Sequence, residues 1–185
     1  MLRSVIFLLF GLFIFFIQCQ APMSVNNPES AKFPPLKART LAGNQIKFPE
    51  DIQGKPVFIA MVFENGGAYA KQQKEADAWA EFFEVNLKEE GIEFYEIPMM
   101  AQGYSLISWW VDGGMRSGIP EEKHDQVACY YGNKSKYLKA LDLPGMEVAH
   151  VFLLDKKGTI LSKGSGIPSP EKEKKILQAL AEMKK

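Results

Sequence analysis

The amino-acid sequence predicts an α/β fold, a mixed central sheet flanked by helices on both faces. Three stretches predict it. Residues 57–63 (VFIAMVF) are an unbroken run of apolar, β-branched and aromatic residues, the pattern of a strand buried on both sides. Residues 69–90 follow, with Ala76, Trp79, Ala80, Phe83 and Leu87 spaced three and four apart. That spacing is one apolar face of a long helix, which Gly91 stops. Residues 149–154 (AHVFLL) and 159–162 flank Asp155-Lys156-Lys157-Gly158, a hairpin with glycine where positive φ is expected.

The other elements take their places around these three. Residues 36–48 hold two short extended stretches around Ala42-Gly43-Asn44, a second hairpin signal. Residues 92–97 (IEFYEI) read as another central strand, ended by Pro98. A helical insert is expected before the C-terminal hairpin. It comprises a short helix at residues 104–111 (YSLISWWV), a helix from Pro120-Glu121-Glu122 to about Tyr131, and a further turn at 137–141. Ser169 caps a last helix with Pro170 at its first position, and Ile176, Leu177, Leu180 and Met183 share one face.

A chain of 185 residues suits one ordinary domain with an export segment. The 46% hydrophobic and 12% aromatic content supports a filled core and excludes disorder. Lys and Arg total 22 and Asp and Glu total 22, so no basic excess attracts a polyanion, and no nucleic-acid partner is expected.

Arg3 is the only charge before Glu29, and residues 5–17 are continuously apolar. A spanning helix needs about 20 apolar residues, so this shorter run reads as a secretory signal. Cys19 falls where the run stops. Ile17-Gln18-Cys19 resembles a relaxed bacterial lipobox, in which the cysteine thiol takes a diacylglycerol before cleavage. Ile17 and Gln18 stand where smaller residues are commoner, and an ordinary cleaved signal or an uncleaved short anchor are the alternatives. The organisation read here is a signal peptide over residues 1–18, a lipid-attached flexible tether over 19–32 (small, polar and proline-bearing), and a folded domain over 33–185. The expected product is exported and membrane-anchored, a lipoprotein facing the periplasm or cell exterior and held to membrane lipid by acylation of Cys19. Cys129 is then the only free thiol, and no internal disulfide can form.

Phe33-Pro34-Pro35-Leu36, Gly54-Lys55-Pro56-Val57 and the stretch 150–160 (HVFLLDKKGTI), followed by Gly164-Ser165-Gly166, occur in the order found in the peroxiredoxin and TlpA-type branch of thioredoxin-like proteins. The domain resembles that superfamily over nearly all of residues 33–183, which implies a thioredoxin-like fold. A narrower likeness is to the ATP-synthase assembly-factor family, thioredoxin-like proteins that help build the proton-channel sector. Trp109-Trp110, Met115-Arg116, Ile119-Pro120-Glu121 and the HVFLLD…GSG ending carry that likeness. Leu161-Ser162-Lys163 stands where that family has a charge and Trp signature.

The departures are as informative as the likeness. Redox-active members carry their thiols just after the first central strand, at the amino end of the long helix, where backbone N–H groups and the helix dipole stabilise a thiolate. Those positions fall at or beside Ala68 and Lys71, and Ala149 stands where the cis-proline facing the active site is expected. Thiol–disulfide exchange by that route is therefore not expected. Nor is any cofactor.

The remaining candidate residues each have a structural role open to them. Cys129, placed in a helix, reads as a buried apolar cysteine, the alternative being a thiol-dependent peroxidase or reductase acting through it. His124 reads as solvated and His150 as a packed strand histidine, and their spacing supplies no metal site. Asn65-Gly66-Gly67 reads as a turn and Gly164-Ser165-Gly166 as a strand-end loop. Tyr104, Leu106, Ile107, Trp109 and Trp110 form the densest aromatic cluster after the signal, either a core helix or a surface for a partner. Adjacent tryptophans cannot both face one side of a helix. The functional expectation is a redox-inactive binding or assembly scaffold in the cell envelope, not an enzyme, with Tyr104, Trp109 and Trp110 meeting an envelope or membrane protein.

Overall fold

Residues 31–185 are described by the computed structural model; the expected signal peptide, Cys19 and most of the expected tether lie outside the described residues. The first hairpin forms as expected from β1 (Leu36–Thr40) and β2 (Gln45–Phe48), with Gly43 at φ +98° in its turn. β3 (Val57–Phe63) is buried along its whole length. Alternation divides it between two cores. Val57, Ile59, Met61 and Phe63 face one side, and Phe58, Ala60 and Val62 face the other.

α1 (Tyr69–Asn86) places Ala76, Trp79 and Phe83 on the second core, with Phe82 beside them. Gly91, at φ +70°, ends the turn after it, a left-handed position that glycine fills without steric cost. β4 (Glu93–Ala101) runs parallel to β3. Pro98 does not end it. The pairing of β4 with β5 (Ala128–Gly132) is interrupted between the Glu96–Val127 bridge and the Met99–Tyr130 pair, where Pro98, which has no N–H, falls.

β5 corrects the sequence reading. The expected helix from Pro120 to about Tyr131 is a 3-10 segment, Glu121–Gln126, followed by this strand. Ala128, Cys129 and Tyr130 are buried there, and parallel pairing with β4 overrides the helical start signal at Pro120. The insert between β4 and β5 holds a 3-10 segment, Gln102–Ile107, and α2 (Ser108–Gly118). α3 (Ser135–Ala140) follows β5.

β6 (His150–Leu154) and β7 (Ile160–Ser165) form the C-terminal hairpin. Asp155 Oδ1 accepts from the N–H groups of Lys157 and Thr159 to shape its turn, with Gly158 at φ +74°. α4 (Pro170–Met183) begins with its Ser169 cap and packs Ile176 and Leu180 beside α1. The sheet order is β2-β1-β5-β4-β3-β6-β7. α1 and α4 cover one face, while on the other Phe33, Ile52, Tyr137 and Leu141 pack with the strand residues, Leu36 and Phe48 of the first hairpin among them. The result is the mixed α/β sheet the sequence predicts, with a helical insert before the C-terminal hairpin.

Candidate functional site

Two regions bear on function: the amino end of α1 and the insert. Asn65-Gly66-Gly67 leads into a 3-10 turn, Gly66–Ala68, that runs directly into α1. Ala68 is the residue before the helix, and the Lys71 ammonium lies in solvent 3.5 Å from Glu75. Neither supplies sulfur. Beneath them, a buried polar seam joins β3, α1 and the segment before β6. The Gln72 amide accepts from the Phe63 N–H and donates to the Phe63 carbonyl, both at 2.8 Å, and donates to the Met146 carbonyl at 2.9 Å. The Asn65 amide donates to the same Met146 carbonyl at 2.6 Å. The Ala149 N–H donates to Glu75 Oε2 at 2.8 Å. These side chains satisfy backbone groups that burial would otherwise leave unpaired.

Glu75→Ala strands the Ala149 N–H and is expected to cost about 1–3 kcal/mol, whereas Glu75→Gln, which keeps an acceptor oxygen, retains most of the stability. Denaturant unfolding of both variants checks this.

The insert reverses the usual arrangement of a surface helix. Among its residues only Asp112 of α2 is buried, while Leu106 is 85%, Trp109 70% and Trp110 64% exposed. Helices normally bury the apolar face and solvate the charged one. Here the charge is the pin. Asp112 Oδ2 pairs with Arg39 at 2.5 Å, and Oδ1 accepts from the Tyr131 hydroxyl at 2.5 Å. Arg116 Nε donates to the Leu41 carbonyl at 2.7 Å. A small apolar cluster of Leu41, Val127 and Cys129, touched by Met115 and Ile119, completes the attachment. Tyr104, Trp109 and Trp110 line one groove of about 720 Å³ with Met100 and Met115. All three of the expected partner residues therefore meet at one place.

Cys129 is in β5, not a helix, and it is buried with its Sγ 3.6 Å from Met115 Sδ. Arg39 pairs opposite it across β1 and β5, a cationic neighbour that sequence spacing did not reveal. Burial, then Asp112, nevertheless pushes the thiol well above its ordinary value, with Arg39 only partly opposing. A protonated, enclosed thiol is a poor nucleophile. In the native protein it is expected to react with a thiol-specific disulfide reagent about 100-fold or more slowly than in the unfolded chain; equal rates would contradict this placement.

His124 is half-buried with Nε2 2.9 Å from the Ile119 carbonyl, so it is not the fully solvated residue expected. His150 is buried, as a packed strand histidine should be, with Nε2 2.9 Å from the Gly145 carbonyl. Burial lowers its pKa, partly offset by that carbonyl. The folded imidazole therefore resists a proton that the unfolded chain accepts. Its contribution to stability is present above the ordinary value near 6.5 and is lost as pH falls below it. Urea midpoints at stepped pH should drop below that value for the wild type and drop less for His150→Gln.

Gln72, Glu75, Asp112 and Arg39 escaped the sequence reading. A signal existed for one: Gln72 continues the stripe of Ala76, Trp79 and Phe83 toward the helix start, a polar residue on an apolar face. No group of three or more His, Cys, Asp or Glu suited to a metal ion occurs among the described residues.

The sequence model of the family described as ATP10 protein matches residues 20–183. The chain belongs to the ATP10 protein family. No curated protein matches it. Solved structures resemble this ATP10-family chain at low identity. The thioredoxin domain of a thiol-disulfide oxidoreductase from Bacteroides vulgatus is 17% identical with a TM-score of 0.54, covering 82% of this chain and 97% of that one. A SCO1/SenC family lipoprotein from Bacillus anthracis is 13% identical with a TM-score of 0.56, covering 84% and 96%. BsSco, of the Sco family of cytochrome c oxidase assembly proteins, is 14% identical with a TM-score of 0.54, covering 85% and 95%. These likenesses show the thioredoxin-like fold.

Proposed function

We propose that this ATP10-family protein is a redox-inactive scaffold for binding or assembly, held at a membrane surface of the cell envelope by an acylated Cys19. Its shelf of Tyr104, Trp109 and Trp110 meets an apolar partner surface, and the class of partner protein is an envelope or membrane protein. One observation carries the reading: α2 buries its acid and exposes its tryptophans, an arrangement stable in water only at a cost that a partner removes. The methyl group and ammonium at Ala68 and Lys71, and the enclosed Cys129, support the redox-inactive part. BsSco belongs to a family of assembly proteins, which agrees with assembly work on this fold.

Peroxide consumption and disulfide reduction by wild type and Cys129→Ser test the proposal. Equal, background-level rates are expected, and thiol-dependent turnover would overturn it. Replacing Cys19 by Ala is expected to release the protein from the membrane fraction, and mass spectrometry of the native form to show an acylated N-terminus.

A further inference from the structure

We infer that the shelf of Leu106, Ile107, Trp109 and Trp110 sits in the interfacial zone of the lipid bilayer and so orients the tethered domain on the membrane. This inference rests on the membrane tether of the reading above and identifies the first apolar surface the shelf meets.

The chemistry of the shelf fits that zone. Between Gln102 and Met115 the only charged residue is Asp112, and its carboxylate is buried against Arg39 and Tyr131. What remains exposed is indole, phenol, aliphatic and hydroxyl surface. Tryptophan and tyrosine settle at the boundary of headgroups and acyl chains because the ring is apolar and its N–H or O–H still finds partners there. The shelf is also held outward. Asp112 and Arg116 hold α2 from beneath, so its outer residues cannot turn inward to hide in the core.

The tether permits the approach. The described chain begins at a fixed point, where the Ile160 N–H donates to the Ala31 carbonyl and Lys32 bridges to Thr159. The stretch from Cys19 to Lys32 has a contour length of about 45 Å at most, at roughly 3.3–3.6 Å per residue. A domain of this size is about 40 Å across. An acyl chain at Cys19 therefore leaves much of the domain's surface free to turn to the bilayer, and the shelf selects among those orientations. Tethering also holds the local concentration near the millimolar range. Weak interfacial affinity then suffices, because the shelf needs only to orient a domain already attached. The groove beside Tyr104 then opens along the membrane plane, where segments of a membrane protein lie.

The test uses the full chain purified from membranes and reconstituted into phosphatidylethanolamine–phosphatidylglycerol vesicles, with and without brominated acyl chains. The protein has three tryptophans, and Trp79 is enclosed in the core. Bromolipid is expected to lower the emission by about half, reporting Trp109 and Trp110 at the interface. W109A/W110A, which retains only Trp79, should show no such quenching. Leu106→Glu, at an exposed position that folding does not need, should reduce it. Vesicle-attached protein whose tryptophans ignore bromolipid and stay open to aqueous acrylamide would overturn the inference, leave the tether standing and leave the shelf to its protein partner alone. A chain that remains with the aqueous fraction on flotation would overturn both.

Discussion

Trp79→Ala is expected to lower unfolding free energy by about 4 kcal/mol, the largest loss from a single substitution in the domain. The indole is fully enclosed between α1 and the sheet, in ring contact with Phe58 at 6.1 Å and Phe82 at 5.5 Å between centroids. Its Nε1–H donates to the Gly166 carbonyl at 2.6 Å, which ties α1 to the end of the last hairpin. Gly164 is part of the fit. A Cβ there would meet Val151 Cγ2 at 3.1 Å and the indole at 3.4 Å. Truncation removes transfer energy, leaves a cavity and strips a carbonyl of its donor. Typical domains have about 5–15 kcal/mol in total, so the variant gives up roughly a quarter to four-fifths of such a total. Urea titration followed by far-UV circular dichroism reads the change, and Trp79→Phe should recover part of it. A loss below about 1 kcal/mol would place the residue among ordinary surface substitutions and contradict the packing described.

Arg39→Ala is expected to cost about 3 kcal/mol, within the range for leaving a buried charge without its partner. The guanidinium is partly solvated, which moderates its own contribution, but the Asp112 carboxylate it serves has no solvent access. Without Arg39, the carboxylate keeps only neutral partners, the Tyr131 hydroxyl and the Cys129 thiol. The charge is the problem, so removing it should help. Arg39→Ala combined with Asp112→Asn should be more stable than Arg39→Ala alone, and the double-mutant cycle should show coupling above about 0.5 kcal/mol. Hydrogen exchange should rise across residues 102–118, because the insert loses the pin that offsets its exposed apolar face. Additive effects and unchanged exchange would show that the pin does not hold the insert.

The fold was legible wherever pattern and burial agree. β3, α1, both hairpins and the capped α4 each present a local period or turn chemistry that the structure keeps. β5 was hidden because Val127-Ala128-Cys129-Tyr130-Tyr131 follows a helix-start signal and has no alternation to distinguish a buried strand from a buried helix. Pro98 misled as a terminator because its tolerance depends on which neighbouring strand is paired at that residue, and that is not written locally. At the site, the missing thiols at Ala68 and Lys71 and the aromatic cluster could be read directly. The Asp112 pin could not. Its partner Arg39 lies 73 residues away, and no periodicity marks such a pair in advance.

Ala149 has already committed its amide to Glu75, and Met146 its carbonyl to Gln72 and Asn65. An extended peptide seeking strand-like pairing at that end of the molecule would have to outcompete bonds formed within the chain itself. The head of α1 is therefore a keystone, its backbone groups already spent on holding strand, helix and the approach to β6 together.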